Sequence, residues 1–291
     1  MTLQQWCDTG KTFRYKAQYD IFFQEAGAGE NLLLLHGFPT ASRDWHKIWA
    51  GLRERFHVLA PDFIGFGYSD KPGAYPYSII DQADLIEALL ENRGITATHV
   101  LAHDYGDTVF QELLARFIDR KQAGREGLQL LRATLLNGGL FPETHRPRPI
   151  QRALISPIGP LLTPLLSKAS LSRNFHHIFG KNTRASEQEI GEFYELMVHK
   201  GGKSVFHKLI RYMEERRRYR ERWVGALQNS PIPIRLINGA ADPVSGRHMT
   251  ERYKALTPDP DVVMLEEIGH YPQTEAPETV LRHFLEFAGR Q

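Results

Sequence analysis

Cysteine is almost absent. Cys7 is the single thiol among 291 residues, which excludes an intramolecular disulfide and a cysteine-built metal cage. Excess charge is also lacking: 36 basic residues stand against 34 acidic ones, and a formal charge of +2 gives a nucleic-acid-binding role no support. No apolar run reaches the length of a membrane span, and the polar residues after Met-Thr-Leu-Gln-Gln-Trp leave no apolar leader near the start. A soluble chain of a reducing compartment, the cytoplasm, with no membrane partner is expected on these grounds. His176-His177 has no carboxylate or cysteine at ligand spacing, so neither a metal nor another cofactor is expected. Gly-x-Ser-x-Gly is missing as well, which removes the usual signature of a serine nucleophile.

What is present is an ordinary globular mixture. Apolar residues make up 42%, enough for a substantial core, and the length suits one large domain or a core carrying an insertion. Short apolar runs alternate with amphipathic stretches, the rhythm of a mostly parallel sheet flanked by helices. Strands are expected at Ile21 to Gln24, Asn31 to Leu35, Val58 to Pro61, His99 to Ala102, Arg132 to Leu136, Ile234 to Ile237 and Val262 to Leu265. Helices are expected at Ile79 to Arg93, where Gly94 marks the end, and at Val109 to Ile118, Met249 to Leu256 and Thr279 to Phe287.

After Phe141 the rhythm changes. Pro142, Pro147, Pro149, Pro157, Pro160 and Pro164 exclude one long helix there. Ser186 and Glu189 form a capping-box pattern that opens a helix to about Lys200, and a second helix is expected from about Ser204 to Trp223. Residues 141–226 therefore read as a helical cap inserted between two parts of one α/β core, 1–140 and 227–291. The run Arg216, Arg217, Arg218, Arg220 and Arg222, mixed with glutamates, reads as a solvated helix face.

The chemistry concentrates where strands end. Thr98-His99-Val100-Leu101-Ala102-His103-Asp104-Tyr105-Gly106-Asp107-Thr108 carries an apolar strand straight into Ala-x-Asp-x-Gly and then into a helix. Small residues two before and two after Asp104 permit a tight turn that leaves its side chain exposed, a nucleophile elbow with aspartate in place of serine. The plainer alternative is that Asp104 merely caps the helix. His36-Gly37-Phe38-Pro39 follows another strand, and the amides of Phe38 and Tyr105 could together hold an oxyanion. The loop Asp62 to Pro72 reads as structural, its glycines serving backbone geometry. Asp242 lies just beyond a strand and His270 on a glycine-flanked loop beyond the next. The order nucleophile, acid, histidine, each at a strand end of one parallel sheet, assembles Asp104, Asp242 and His270 into a triad.

These motifs resemble the epoxide hydrolase and haloalkane dehalogenase branch of the α/β-hydrolases. The likeness rests on His36-Gly37-Phe38-Pro39, Ala102-His103-Asp104-Tyr105-Gly106, Asp242-Pro243-Val244 and Gly269-His270-Tyr271-Pro272. Within that branch the chain is most similar to the mesoderm-specific transcript-like group, through Ser69-Asp70-Lys71-Pro72, Phe141-Pro142-Glu143-Thr144-His145-Arg146-Pro147 and Arg222-Trp223-Val224-Gly225-Ala226-Leu227. The resemblance implies an α/β-hydrolase fold with an inserted helical cap.

A carboxylate nucleophile can attack an sp³ carbon bearing a leaving group and form an alkyl ester, after which a histidine-activated water cleaves the ester. Small hydrophobic epoxides, with water as co-substrate, are the expected partners. The resemblance also implies a tyrosine from the cap as proton donor to the epoxide oxygen, and Tyr212 occupies about that place. A second donor should come from the first half of the cap, where His145 and Tyr194 are weak candidates. Dehalogenases of the branch usually carry tryptophan directly after the nucleophile and often asparagine at the position of Phe38. This chain has Tyr105 and Phe38 there, which puts halide release second. A scaffold used for protein binding is the non-catalytic alternative, and the oligomeric state stays open, a homodimer included.

Overall fold

The computed structural model describes residues 1–289, so the last two residues of the expected second core segment, 290 and 291, lie outside it. Eight strands form: β1 Lys11–Tyr15, β2 Tyr19–Ala26, β3 Glu30–Leu35, β4 Phe56–Pro61, β5 Ala97–His103, β6 Gln129–Leu136, β7 Ile234–Gly239 and β8 Asp261–Leu265. They make one sheet in the order β1-β2-β4-β3-β5-β6-β7-β8. The pairs β1–β2 and β2–β4 are antiparallel and the other pairs parallel.

Seven strands coincide with expected ones. β1 does not, because it is an edge strand with only Tyr15 buried, held by its ladder to β2 rather than by an apolar pattern. The central strands show why the others were legible. In β3, Leu33 and Leu35 enter the core that holds Ile79, Ile86 and Val109, while Leu32 and Leu34 face Trp45, Trp49, Val280 and Phe284 on the other side. A parallel strand buried on both faces reads as a continuous apolar run, here Leu-Leu-Leu-Leu.

Parallel strands send their carboxyl ends to one edge of the sheet. His36, Asp62, Asp104, Asn137, Asp242 and His270 all lie on the loops or elbows beyond those ends, the place where open α/β sheets build their sites. The Asp62 loop is structural, as expected. Asp62 Oδ1 accepts the Ser42 amide and Oδ2 the Tyr68 amide, both at 2.7 Å, which closes the loop on itself.

Between β6 and β7 the described chain is helical. Pro149–Ile155, Gly159–Leu162, Lys168–Ile178 and Glu187–Val198 come first, and the Ser186–Glu189 capping box opens the last of them as expected. The expected second helix is corrected to three short ones, Phe206–Leu209, Tyr212–Arg218 and Arg220–Gln228, with the join at Tyr219 in a non-helical conformation. The breaks bring the chain down onto the core. Arg220–Gln228 packs along the helix Tyr105–Gln122, where Arg222 Nε and Trp223 Nε1 both donate to Glu112 Oε2, at 2.9 and 2.8 Å. The expected cap boundary at 226 falls inside that helix. No described helix is long and apolar enough to cross a membrane.

Candidate active site

Asp104 joins β5 to the helix Tyr105–Gln122 at φ +46° and ψ −99°, a backbone conformation unfavourable for a residue with a side chain. The turn is tight enough that a Cβ on Gly106 would sit 2.2 Å from the Leu35 carbonyl oxygen, so glycine is required there. The Asp104 side chain makes no capping hydrogen bond to its own helix. It points instead toward the loop after β3, where Asp104 Oδ2 accepts the Phe38 amide at 3.1 Å. The helix-cap reading of Asp104 is therefore excluded, and the elbow is what the segment forms.

Beyond β7, Asp242 is buried and fully engaged. Its Oδ2 accepts His270 Nδ1 at 2.7 Å, Asn137 Nδ2 at 2.9 Å and the Ser245 amide at 3.1 Å, and Oδ1 accepts the Val244 amide at 2.7 Å. The Ser245 hydroxyl lies 2.8 Å from Oδ2 and 2.6 Å from the Asn137 carbonyl, with one proton to share. Burial alone would raise the Asp242 carboxyl, but the His270 charge and these donors hold it below the usual carboxylate range. Burial likewise favours neutral His270, and the neighbouring Asp242 and Asp104 carboxylates outweigh it, raising the imidazole above its ordinary value.

The loop bearing His270 is tied down on both sides. The His270 amide donates to Ile178 O in the cap at 2.8 Å, and His103, next to the nucleophile, donates from Nε2 to His270 O at 2.7 Å. Glu275 knots the same loop to the cap by accepting the amides of Gly180 (2.7 Å), Gly269 (2.9 Å) and Tyr271 (2.9 Å). Asn137, Ser245 and Glu275 were not legible as site residues, since each is a common turn residue made important only by what lies across from it.

Asp104 and His270 both open onto a cavity of about 320 Å³ beneath the cap. Apart from those two, its wall is chiefly apolar, with Phe38, Leu154, Phe175, Ile178, Met197 and Phe206, and its polar share includes Arg148, Arg173 and His177. Tyr105 is the first residue of its helix, where amides lack intrahelical acceptors, so its N–H stands at the positive helix end beside the carboxylate. Of the two amides expected to hold an oxyanion, that of Phe38 donates to Asp104 Oδ2. Among the described residues no cluster of histidine, cysteine, aspartate and glutamate side chains could hold a metal ion.

The cap residues fall out differently. Tyr212 is buried beside the nucleophile, its ring edge-on to Tyr105 with centroids 4.9 Å apart and 6.0 Å from Phe38. Burial and the Asp104 charge push its phenol well above the ordinary range. Phe38, not Tyr212, faces the main cavity. Tyr194 and His145 are not in the cavity wall, which corrects their assignment as substrate-contacting residues. Tyr194 lies on Glu187–Val198 but only Met197 of that helix reaches the cavity, and His145 sits in a small recess with Met213 and Arg216. Of the cap histidines, it is His177 on Lys168–Ile178 that lines the cavity.

The arginine run is corrected too. Arg216 is 2% exposed and reaches the elbow: Nε donates to Thr108 Oγ1 at 2.7 Å, Nη2 donates to Asp104 O at 3.1 Å, and Nη2 lies 3.5 Å from Asp104 Oδ1. Its guanidinium stacks 4.5 Å from the Tyr212 ring centroid, and a Cβ on Gly139 would come within 2.3 Å of it. One member of a charge run is thus a buried counter-ion of Asp104, which spacing along a helix could not single out.

The assembled groups can carry out nucleophilic attack by a carboxylate, stabilise an oxyanion on that carboxyl, and activate water with an imidazole oriented by a second carboxylate. Comparison with known proteins identifies the family and the fold. The profile described as "Alpha/beta hydrolase family" matches residues 32–283. The chain is 43% identical to the human mesoderm-specific transcript homolog protein, over 98% of this chain and 87% of that one. It is 38% identical to LipZ of Mycobacterium tuberculosis, over 95% of this chain and 94% of that one. Among solved structures, a haloalkane dehalogenase variant from Bradyrhizobium elkanii superposes with a TM-score of 0.77 at 22% identity, covering 92% of each chain. The epoxide hydrolase CorEH does so with a TM-score of 0.75 at 22% identity, covering 96% of this chain and 98% of its own. At such identities these two speak for the fold alone. The family match and the near full-length relatives establish the identity: the chain belongs to the α/β-hydrolase family.

Proposed function

We propose that the chain is an epoxide hydrolase that opens small hydrophobic epoxides to vicinal diols through an alkyl ester of Asp104. The observation that carries this reading is a carboxylate, not a hydroxyl, at the elbow: Asp104 Oδ2 is engaged by the Phe38 amide and the group opens with His270 onto a largely apolar cavity. Oδ1 attacks an epoxide carbon, the carbon–oxygen bond breaks, and the released oxygen takes a proton from Tyr212, which packs on Phe38 and Tyr105 just behind the cavity wall and reaches the oxygen when substrate displaces the Phe38 ring. Water, losing a proton to His270, then adds to the ester carbonyl, and the charge develops on Oδ2 where the Phe38 and Tyr105 amides lie. Collapse expels the diol oxygen, which takes the proton from His270, and the proton on the regenerated Asp104 carboxyl restores Tyr212. Asp242 and, after it, Asp104 raise the His270 imidazole, and alkylation removes the Asp104 part, lowering the imidazole's proton affinity toward that of an ordinary base before the water step.

Epoxides are preferred over haloalkanes because the positions where dehalogenases of this branch usually carry tryptophan and often asparagine are Tyr105 and Phe38 here, and none of the four tryptophans lines the cavity. A single turnover in ¹⁸O-water tests the covalent route: label is expected in the Asp104 carboxylate, and label appearing directly in the diol with an unlabelled Asp104 peptide overturns it. The proton donor is tested by the rate of Asp104 alkylation. Tyr212→Phe should slow alkylation by an epoxide by about 10²-fold or more and leave alkylation by a bromoalkane nearly unchanged. A loss confined to His177→Gln would transfer the role to the histidine in the cavity wall.

A further inference from the structure

The stretch 144–186 contains seven basic residues and no acidic one, although the whole chain is nearly balanced. The seven are Arg146, Arg148, Arg152, Lys168, Arg173, Lys181 and Arg184, and none forms an ion pair with a described acidic side chain. Elsewhere arginines are mostly paired, as Arg116, Arg120, Arg220, Arg222 and Arg235 are. In the middle of this stretch the link Ser-Pro-Ile-Gly-Pro-Leu-Leu-Thr-Pro-Leu-Leu turns its aliphatic side chains outward. Ile158 is 56% exposed, Leu161 75% and Leu165 73%, three of the five most exposed large apolar residues described. A further cation lies against them: Lys203 Nζ donates to the carbonyls of Pro164 and Leu166, which places its ammonium on the same link.

We propose that this face of the cap docks on an anionic lipid bilayer. Exposed aliphatic side chains and nearby cations, here Arg152 and Lys168 flanking the link and Lys203 bonded to it, are the two components that bind a peripheral protein to such a surface: the side chains enter the acyl boundary and the cations meet the headgroups. A nucleic acid would satisfy the cations but would give Ile158, Leu161 and Leu165 nothing to be buried in. The docking site also has a use for the chemistry below it. The exposed link joins the helices Pro149–Ile155 and Lys168–Ile178, and Ile150, Leu154, Leu171 and Phe175 from those two helices line the cavity. An apolar substrate dissolved in lipid would therefore reach the Asp104 cavity from the bilayer without crossing water. The expectation of no membrane partner rested on the lack of an apolar span, which a docking face of this kind does not need.

The test is co-sedimentation of the full chain with phosphatidylcholine vesicles, with and without phosphatidylserine. Binding is expected only with the anionic lipid and should weaken as salt rises. Leu161→Ser/Leu165→Ser should reduce it by at least about tenfold, since each leucine loses its apolar transfer. Arg152→Ala/Lys168→Ala should also weaken it and flatten its salt dependence. Both pairs lie outside the cavity wall, so turnover of a water-soluble substrate should be unchanged, and circular dichroism should be that of the parent. No binding to anionic vesicles overturns the proposal, as does equal binding by the leucine variant. Retention on RNA without retention on vesicles would overturn it in favour of a nucleic acid. A concentration-dependent dimer abolished by the leucine variant, without vesicle binding, would overturn it in favour of self-association.

Discussion

Asp242 just beyond β7 accepts hydrogen bonds from His270, Asn137, Val244 and Ser245, whereas the basic side chains of 144–186 have no acidic partners among the described residues and the link within that stretch exposes three aliphatic side chains. Around Asp242 the groups satisfy one another; the exposed link of the cap and the cations beside it have no such partners within the described chain. The second half of the cap belongs with the sheet edge, because Arg216, Arg222 and Trp223 reach down to Thr108, Asp104 and Glu112. Burial with full pairing holds a reactive geometry still, while unpaired surface leaves a face ready to meet a partner.

The sharpest way to break the sheet-edge half is to remove its base. His270→Gln should leave alkylation intact and stall deacylation, lowering steady-state turnover by about 10³-fold or more. Intact mass after exposure to an epoxide should show enzyme plus substrate. A dead variant with no adduct, despite demonstrated substrate binding, would remove His270 from that role.

A second experiment probes the tie between cap and nucleophile. Arg216→Met deletes a buried cation and leaves Asp104 and the buried Asp107 without it, a loss of about 3 to 5 kcal/mol for a broken buried pair. Arg222→Met, at 34% side-chain exposure and with Glu112 still held by Arg116 and Trp223, should cost less than half as much. Urea unfolding of both variants measures the difference, and equal costs would return Arg216 to the solvated face that the sequence suggests.

The smallest expected effect concerns pH. Burial, with help from Arg216, lowers the His145 imidazole to about 4, while the unfolded chain titrates near 6.5. Below about 6.5 the unfolded state binds the extra proton, so the stability this residue contributes is whole at higher pH and is lost as pH falls toward 4. At about 1.4 kcal/mol per pKa unit, and discounted for partial exposure, parent and His145→Gln should draw together or cross by about 1 to 2 kcal/mol on acidification. Denaturation midpoints at neutral and acid pH decide it, since parallel curves would show that His145 is not held neutral.

Much of the molecule was legible in one dimension. Seven strands, the elbow and the triad each leave a local mark, either a continuous apolar run or a small-residue turn at a strand's end. The Ser186–Glu189 box marked its helix for the same reason. By itself the sequence determined that a parallel sheet would bring Asp104, Asp242 and His270 to one edge, because strand direction and side-chain alternation follow from neighbouring residues. Only the tertiary structure decided that Arg216 alone of its run is buried against Asp104, that Asn137 and Ser245 complete Asp242, and that His177 rather than His145 or Tyr194 meets the cavity. Those facts depend on which distant surfaces close on each other, and burial, unlike periodicity, is not a property of a residue and its neighbours in the chain.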